Sequence, residues 1–106
     1  MARVVWSPQA LADLEAVGDY LAREAPTYAQ SFVDGAFAAV EMLETFPNAG
    51  RAVPEIDDPA IREIQYRGYR VFHLVSAQDG QMKVDILSVF HATRQFGAGP
   101  GSGPGL

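Results

Sequence analysis

The sequence predicts an α+β domain in which a small antiparallel sheet packs on an N-terminal helical hairpin, with the element order β-α-α-β-β-β. Three observations predict this fold class. A short β-branched stretch opens the chain, two segments with helical spacing of apolar residues follow, and three strand-like stretches come after them. A chain of 106 residues is long enough for one domain with a single core.

The first strand and the first helix meet at a Ser-Pro pair. Residues 3–6, RVVW, are β-branched and aromatic and predict a strand. Ser7 is a favourable N-cap, and Pro8 suits the first helical position because its missing N–H needs no partner there. The apolar residues that follow keep helical spacing: Leu11, Leu14, Val17 and Leu21. Gly18 lies on this stripe and predicts close approach of a second helix.

A second helix is predicted between Pro26 and the segment PNAG at 47–50. Pro26 ends the first helix, and Thr27 is placed to cap the second. A second apolar stripe has helical spacing and is widened by Phe37; it comprises Ala29, Phe32, Val33, Ala36, Val40 and Leu43. Because the linker between the helices is short, they are expected to form an antiparallel hairpin.

Three further strands are predicted after a loop at 51–60 that contains two prolines. They cover residues 61–68, 69–76 and 83–91. The pair Asp79-Gly80 predicts a tight hairpin turn between the last two. Strict alternation would place Val84, Ile86, Ser88 and Phe90 on one face of the last strand and Lys83, Asp85, Leu87, Val89 and His91 on the other. Because both long strands carry apolar residues on two faces, we expect the second face to be partly covered.

Charge and composition exclude several classes of function. The net charge is −5, with ten acidic and three basic side chains in residues 1–58 and three acidic and five basic ones in residues 59–106. A polyanion is repelled at long range, so any phosphate contact must be local. Without cysteine there is no disulfide and no thiolate metal site, and we expect no metal or cofactor. The opening lacks a signal-peptide core and the apolar runs are too short for a membrane span, which predicts a cytoplasmic protein.

Seven side chains are candidates for chemistry or binding: Arg51, Arg62, Tyr69, Arg70, His73, His91 and Arg94. Histidine transfers protons near neutral pH and arginine stabilises charge on a phosphorane, so His91 and Arg94 could act on a phosphodiester. Each candidate also has a structural interpretation. His73 lies mid-strand among apolar residues, which favours a packing role, and Arg51 could anchor its loop to the sheet by bonds to backbone carbonyls.

Taken in order, several stretches resemble the RelE/ParE superfamily of bacterial type II toxins. They are VVWSPQALADLEAVGDYLAREAP at the start, LETFPNAGR after the second helix, IREI, YRVFHLV and ILSVFHATR. The resemblance covers about residues 3–95 and implies the order strand, helix, helix, strand, strand, strand. We therefore assign residues 1–96 to a toxin-like domain and residues 97–106 to a flexible Gly/Pro-rich tail.

The resemblance implies a toxin that is neutralised by a cognate antitoxin wrapping over its surface. ParE-like members poison DNA gyrase by binding, and RelE-like members cut mRNA on the ribosome. RelE-like members tend to be basic because ribosomal RNA attracts cations, so a net charge of −5 favours the gyrase branch, with no catalytic residue assigned. In that branch the candidates for partner contacts are Arg62, Tyr69, Arg70, His91 and Arg94.

Two alternatives stay open. A ribosome-dependent mRNA endonuclease would use Arg51, Arg62, His91 and Arg94 as phosphate and proton-transfer groups. A degenerate toxin fold would only bind its partner protein. The sequence therefore does not decide between an enzyme and a binding protein, but the net charge of −5 favours a binding protein.

Overall fold

The computed structural model describes residues 1–93, and it has the predicted α+β architecture and element order. The elements are β1 (Arg3–Trp6), α1 (Pro8–Ala22), α2 (Pro26–Glu41), a 3-10 turn (Met42–Glu44), β2 (Arg51–Ala52), β3 (Ile61–Tyr66), β4 (Tyr69–Gln78) and β5 (Gln81–His91). No helix among these is both long and apolar enough to cross a membrane. The Gly/Pro-rich tail predicted at 97–106 lies outside the described residues, so the boundary at residue 96 stays a prediction.

Within residues 1–93 the sheet has five strands in the order β1-β5-β4-β3-β2, which is one strand more than predicted. The extra strand, β2, is two residues long and lies inside the segment at 51–60 that was expected to be a loop. It pairs with Arg62 and Glu63 of β3. The neighbours from β2 to β5 are antiparallel, but β1 runs parallel to β5. A parallel pair needs a long crossover, and the helical hairpin with the strands after it supplies one.

Both helices begin at a proline in the first turn. At α1 the Ser7 hydroxyl accepts a hydrogen bond from the backbone N–H of Ala10 at 3.0 Å, which confirms the predicted cap. At α2 the N-cap is Ala25, without a side-chain hydrogen bond, so the predicted cap at Thr27 is wrong. Pro26 opens the second helix because its fixed φ and missing N–H suit the first helical position.

The two helices pack closely at Gly18. A Cβ added there would lie 3.1 Å from Cγ2 of Val33, closer than ordinary van der Waals contact. The expected close approach of the helices at this glycine is therefore confirmed.

The two faces of the sheet are covered by different parts of the chain. The face toward the helices, called here the helix-side face, packs aliphatic and aromatic residues from both layers; its buried members include Ala10, Leu14, Phe32, Val40, Leu43, Ile64, Val71, Val84, Ile86 and Val89. The opposite face carries a second cluster of Val53, Phe72 and Phe90, flanked by Ile56, Ile61 and Leu87. Since Val53 and Ile56 belong to the segment between β2 and β3, this segment is the cover expected for the second face.

A β-bulge in β5 changes which side chains point to each face. Phe72 is paired with Ser88 while the next residue of β4, His73, is paired with Ile86, so β5 has one extra residue at this point. Val89 consequently joins the helix-side core and Phe90 the opposite cluster. The strict alternation predicted for this strand is therefore wrong beyond the bulge.

Helix α1 supplies partners for the backbone of the bulge. The Ser7 hydroxyl donates to the Leu87 carbonyl at 3.2 Å. The Val89 N–H donates to a carboxylate oxygen of Asp13 at 2.9 Å. The helix therefore satisfies polar groups that strand pairing leaves open at this point.

Two-residue turns with positive φ connect the long strands. At Asp79 and Gly80 the φ angles are 54° and 76°, which confirms the predicted hairpin turn. Arg67 and Gly68 have φ of 46° and 84° and form a second such turn, so β3 ends at Tyr66 and not at residue 68 as predicted. This second turn brings Tyr66 opposite Tyr69.

Candidate functional site

Arg70 is the centre of a buried ion-pair network on the face of the sheet away from the helices. Its Nε donates to Glu63 at 2.5 Å, and its two terminal nitrogens donate to the Glu55 carboxylate at 2.7 and 2.8 Å. The hydrogen bonds that Arg70 donates to Glu55 raise the pKa of Arg70 above its usual value, although burial acts in the opposite direction. The guanidinium also lies 5.0 Å from the Phe72 ring and 5.7 Å from the Phe90 ring, so it is part of the second-face cluster.

Arg51 joins the same network from β2. Its Nε donates to the other carboxylate oxygen of Glu63 at 2.5 Å, and 57% of the Arg51 side chain is exposed whereas Glu63 is fully buried. Gly50 has a φ of 86°, and a Cβ there would collide with the Glu63 carbonyl, so the loop approaches β3 as only glycine allows. Arg51 does anchor its loop to the sheet, but through a carboxylate and not through the carbonyls that were expected.

Arg62 lies on the other face of the sheet, because side chains alternate along β3. One terminal nitrogen donates to the Gly50 carbonyl at 2.9 Å, and the buried Nε has no hydrogen-bond partner among residues 1–93. His73 is its cross-strand neighbour and is fully buried. Burial lowers the pKa of His73, and the charge of Arg62 lowers it further. The backbone groups of Pro47 and Val71 have the opposite effect and raise this pKa.

His91 ends β5 as an exposed side chain. Its Nδ1 lies 2.8 Å from the Thr93 hydroxyl, and its ring meets Tyr69 edge to face at a centroid distance of 5.4 Å. Tyr69 is half-buried and also packs on Phe32 at 5.3 Å, and burial raises the pKa of its hydroxyl. Arg94 lies outside the described residues, so the predicted pairing of His91 with Arg94 is not tested.

The predicted ribonuclease residues do not converge on one point among residues 1–93. Arg51 is paired with Glu63 on one face of the sheet, and Arg62 lies on the other. Within the same residues no group of three or more His, Asp or Glu side chains could hold a metal ion. What the sheet brings together is a neutralised ion network on one face and an exposed histidine at the end of β5.

A groove between α1 and α2 was not identified from the sequence. It encloses about 530 Å³ and has an apolar floor that includes Leu11, Val33 and Phe37, with Glu15 and Asp19 on its lining. Leu11 and Phe37 are 44% and 39% exposed although both belong to the predicted apolar stripes. The sequence did contain an indication of this groove in the width of the two apolar stripes. A helix that is buried on a single side needs only a narrow apolar stripe, so a wide stripe leaves apolar side chains exposed.

Three known proteins with similar sequence or structure are toxins or belong to a toxin–antitoxin system. Toxin RelE2 of Caulobacter vibrioides is 41% identical over 51 residues, which cover 48% of this chain and 58% of that relative. A chromosomal ParDE toxin–antitoxin system from P. aeruginosa has a similar chain with a TM-score of 0.70 and 22% identity, covering 86% of this chain and 96% of the other. A YoeB/ParE toxin from Agrobacterium tumefaciens has a TM-score of 0.57 and 14% identity, covering 84% and 97%. At these identities the two structures show the shared fold alone.

A family model decides the membership. The model for the ParE toxin of the type II toxin–antitoxin system parDE matches residues 4–96, which is most of the chain. The match includes the helical hairpin, the five-stranded sheet and the segment that covers its second face. The chain therefore belongs to the ParE family of toxins from type II toxin–antitoxin systems.

Proposed function

We propose that this toxin inhibits DNA gyrase by binding it, without breaking or forming a bond itself, and that a cognate antitoxin neutralises it. The observation that carries the proposal is that the arginines on the second face are already paired with carboxylates of the same chain. Arg70 is 4% exposed and is paired with two carboxylates, and Arg51 shares one of them. These groups hold the segment between β2 and β3 on the sheet.

A phosphodiester substrate would meet an unfavourable charge pattern on this face. The carboxylates of Glu55 and Glu63 already compensate the guanidinium of Arg70. Releasing a buried arginine from its partners costs several kcal/mol, about 3–5 when a buried pair is broken. The net charge of −5 adds long-range repulsion of RNA, which is also the reason that a ribosomal target is less favoured.

The groove between α1 and α2 suits the antitoxin. An apolar floor with a few polar groups at the rim is the arrangement that receives an amphipathic helix. Glu15 and Asp19 on the lining favour an occupant with basic side chains next to its apolar face. We therefore assign the groove to a basic amphipathic segment of the antitoxin.

The direct test is a supercoiling assay with purified bacterial DNA gyrase and relaxed plasmid. We expect this chain to inhibit supercoiling at micromolar concentration and to stabilise the cleaved-DNA complex. The Arg3→Ala variant is the matched control, because it removes an exposed arginine that is not among the candidates for partner contacts, and it should inhibit gyrase like the wild type. Unaffected supercoiling at micromolar toxin would contradict the proposal.

The exposed position of His91 favours one second candidate, the ribosome-dependent mRNA endonuclease. Its ring is exposed and lies beside the Tyr69 ring at the end of β5. Codon-positioned cuts in mRNA after expression, absent in both His91→Ala and Arg94→Ala, would support this alternative. Cleavage that both variants retain would exclude these two residues as the proton-transfer and phosphate groups.

A further inference from the structure

All four tyrosines of the chain lie near one another, although they lie on four different elements. Tyr20 is on α1, Tyr28 on α2, Tyr66 on β3 and Tyr69 on β4. Phe32 lies at their centre, with ring centroids 6.4 Å from Tyr28, 5.0 Å from Tyr66 and 5.3 Å from Tyr69. Tyr20 and Tyr28 are both near enough to act electrostatically on the Tyr69 hydroxyl.

The inner members of this cluster are fixed and the outer ones are exposed. The Tyr66 hydroxyl donates to the Phe32 carbonyl at 2.8 Å, and it lies so close to Gly35 that a Cβ there would collide with it. Tyr20 and Tyr28 are 63% and 45% exposed. A rigid aromatic floor with exposed aromatic rings at its rim offers contact area at little cost in conformational entropy.

Two arginines lie among the exposed rings. The Arg67 guanidinium is 5.8 Å from the Tyr28 ring and 5.3 Å from the Tyr66 ring, and Arg23 is 6.0 Å from the Tyr20 ring. We call Tyr20, Arg23, Tyr28, Tyr66, Arg67 and Tyr69 the tyrosine–arginine surface.

Neither arginine of this surface is paired with a carboxylate of the part of the chain that the structure describes. None of the ion pairs found within residues 1–93 includes Arg23 or Arg67. Arg67 makes a long hydrogen bond of 3.4 Å to the Ser31 hydroxyl. Its guanidinium is therefore oriented by two rings while most of its donors stay available to a partner, in contrast to Arg70.

We propose that the toxin holds its protein target through the tyrosine–arginine surface. The matching segment of the target offers a carboxylate to Arg67 and apolar side chains to the rings of Tyr20 and Tyr28. Tyrosine and arginine are the residue types enriched where interfaces concentrate their binding energy. A protein partner fits better than a nucleic acid because residues 1–58, which carry both helices, hold ten acidic side chains.

This surface is separate from the groove between the helices. The residues that line the groove include none of the six members of the tyrosine–arginine surface. An antitoxin segment in the groove and a target on the tyrosine–arginine surface therefore use different side chains. The inference rests on the proposed function, in which the toxin acts by binding a protein.

Two substitutions test the surface with little risk to the fold. Tyr28→Ala removes an exposed ring. Arg67→Asn removes the guanidinium but suits the positive φ of 46° at this turn. We expect each variant to need at least about tenfold more toxin for the same gyrase inhibition, since tenfold corresponds to about 1.4 kcal/mol and the loss of a hot-spot residue costs more than that. Growth arrest on expression in a bacterial host should weaken in parallel, while the melting temperature stays near that of the wild type.

The control pair is Arg3→Ala and Phe46→Ala, which remove an exposed arginine and an exposed aromatic ring on other elements. These variants should inhibit and arrest growth like the wild type. Full activity of both Tyr28→Ala and Arg67→Asn would overturn the proposal. A labelled single-stranded oligonucleotide that binds the wild type and not Arg67→Asn would overturn it as well, because the surface would then serve nucleic acid.

Failure of the proposed function can be told apart from failure of this inference. If the wild type arrests growth but leaves gyrase unaffected, gyrase is not the target. In that case the growth-arrest measurement alone tests whether the tyrosine–arginine surface binds the target. Arrest that weakens in Tyr28→Ala and Arg67→Asn, and not in the control pair, supports the surface for another protein target, and arrest that is equal in all variants overturns it.

Discussion

On the helix-side face of the sheet, stability comes from apolar side chains of both helices and from Val84, Ile86 and Val89 of β5. On the opposite face, an aromatic pair of Phe72 and Phe90 lies beside a buried network of charges. The first face needs no specific partner for each side chain, because burial of apolar area is non-directional. On the second face each charge needs its own partner. Removing one charged side chain therefore leaves the charge of its partner buried and uncompensated.

Removing the central ring of the helix-side face should have the largest effect. Phe32 is 1% exposed and packs on both Tyr66 and Tyr69. We expect Phe32→Ala to lower the free energy of unfolding by about 4 kcal/mol, because it removes buried apolar area and leaves a cavity. Urea unfolding measures this loss. The exposed ring of Phe46 is the control, and equal stabilities of Phe32→Ala and Phe46→Ala would show that Phe32 is not central.

Much of the helix-side face could be predicted from the sequence because its period is regular. The stripes that contain Leu14, Phe32 and Val40 follow helical spacing, and all three residues are buried. Ser7 and Pro8 marked the start of α1, and Asp79-Gly80 marked a hairpin. In each of these cases the determining interaction lies within a few residues along the chain.

The second face could not be predicted in the same way, because its contacts join distant segments. Glu55 and Arg70 are 15 residues apart, and Arg51 and Glu63 are 12 apart. Nothing local distinguishes an arginine that is paired internally from one that is available to a partner, and so Arg51 and Arg70 were candidates for function. The bulge in β5 is a similar case, since its backbone partners are distant in the chain: Ser7 is the N-cap of α1 and Asp13 lies on that helix.

The second prediction removes the charge that the two arginines share. Glu63→Gln keeps the volume of the side chain but takes away the negative charge between Arg51 and Arg70. We expect a loss of about 3 kcal/mol in the free energy of unfolding, because Arg70 is buried and would keep only the compensation of Glu55. Guanidinium chloride would screen the charges, so urea unfolding is the suitable measurement.

The matched control for this change is Arg51→Ala. The Arg51 side chain is 57% exposed, so its pair with Glu63 is weakened by solvent and should contribute less than about 1 kcal/mol. If Glu63→Gln and Arg51→Ala lower the stability equally, the buried half of the network is not what holds the segment between β2 and β3.

The third prediction is a dependence of stability on pH at His73, whose imidazole is buried on the helix-side face. Burial lowers the pKa of His73 below its usual 6.5 in the folded protein. As the pH falls below 6.5 the unfolded chain takes up a proton that the folded chain does not, so stability decreases by up to about 1.4 kcal/mol per pH unit until the lowered pKa is reached. Urea unfolding between pH 7.5 and roughly pH 5 should therefore show a shallower pH slope in His73→Phe than in the wild type. The exposed His91 is the control, and a slope that is reduced by His91→Ala and not by His73→Phe would refute this assignment.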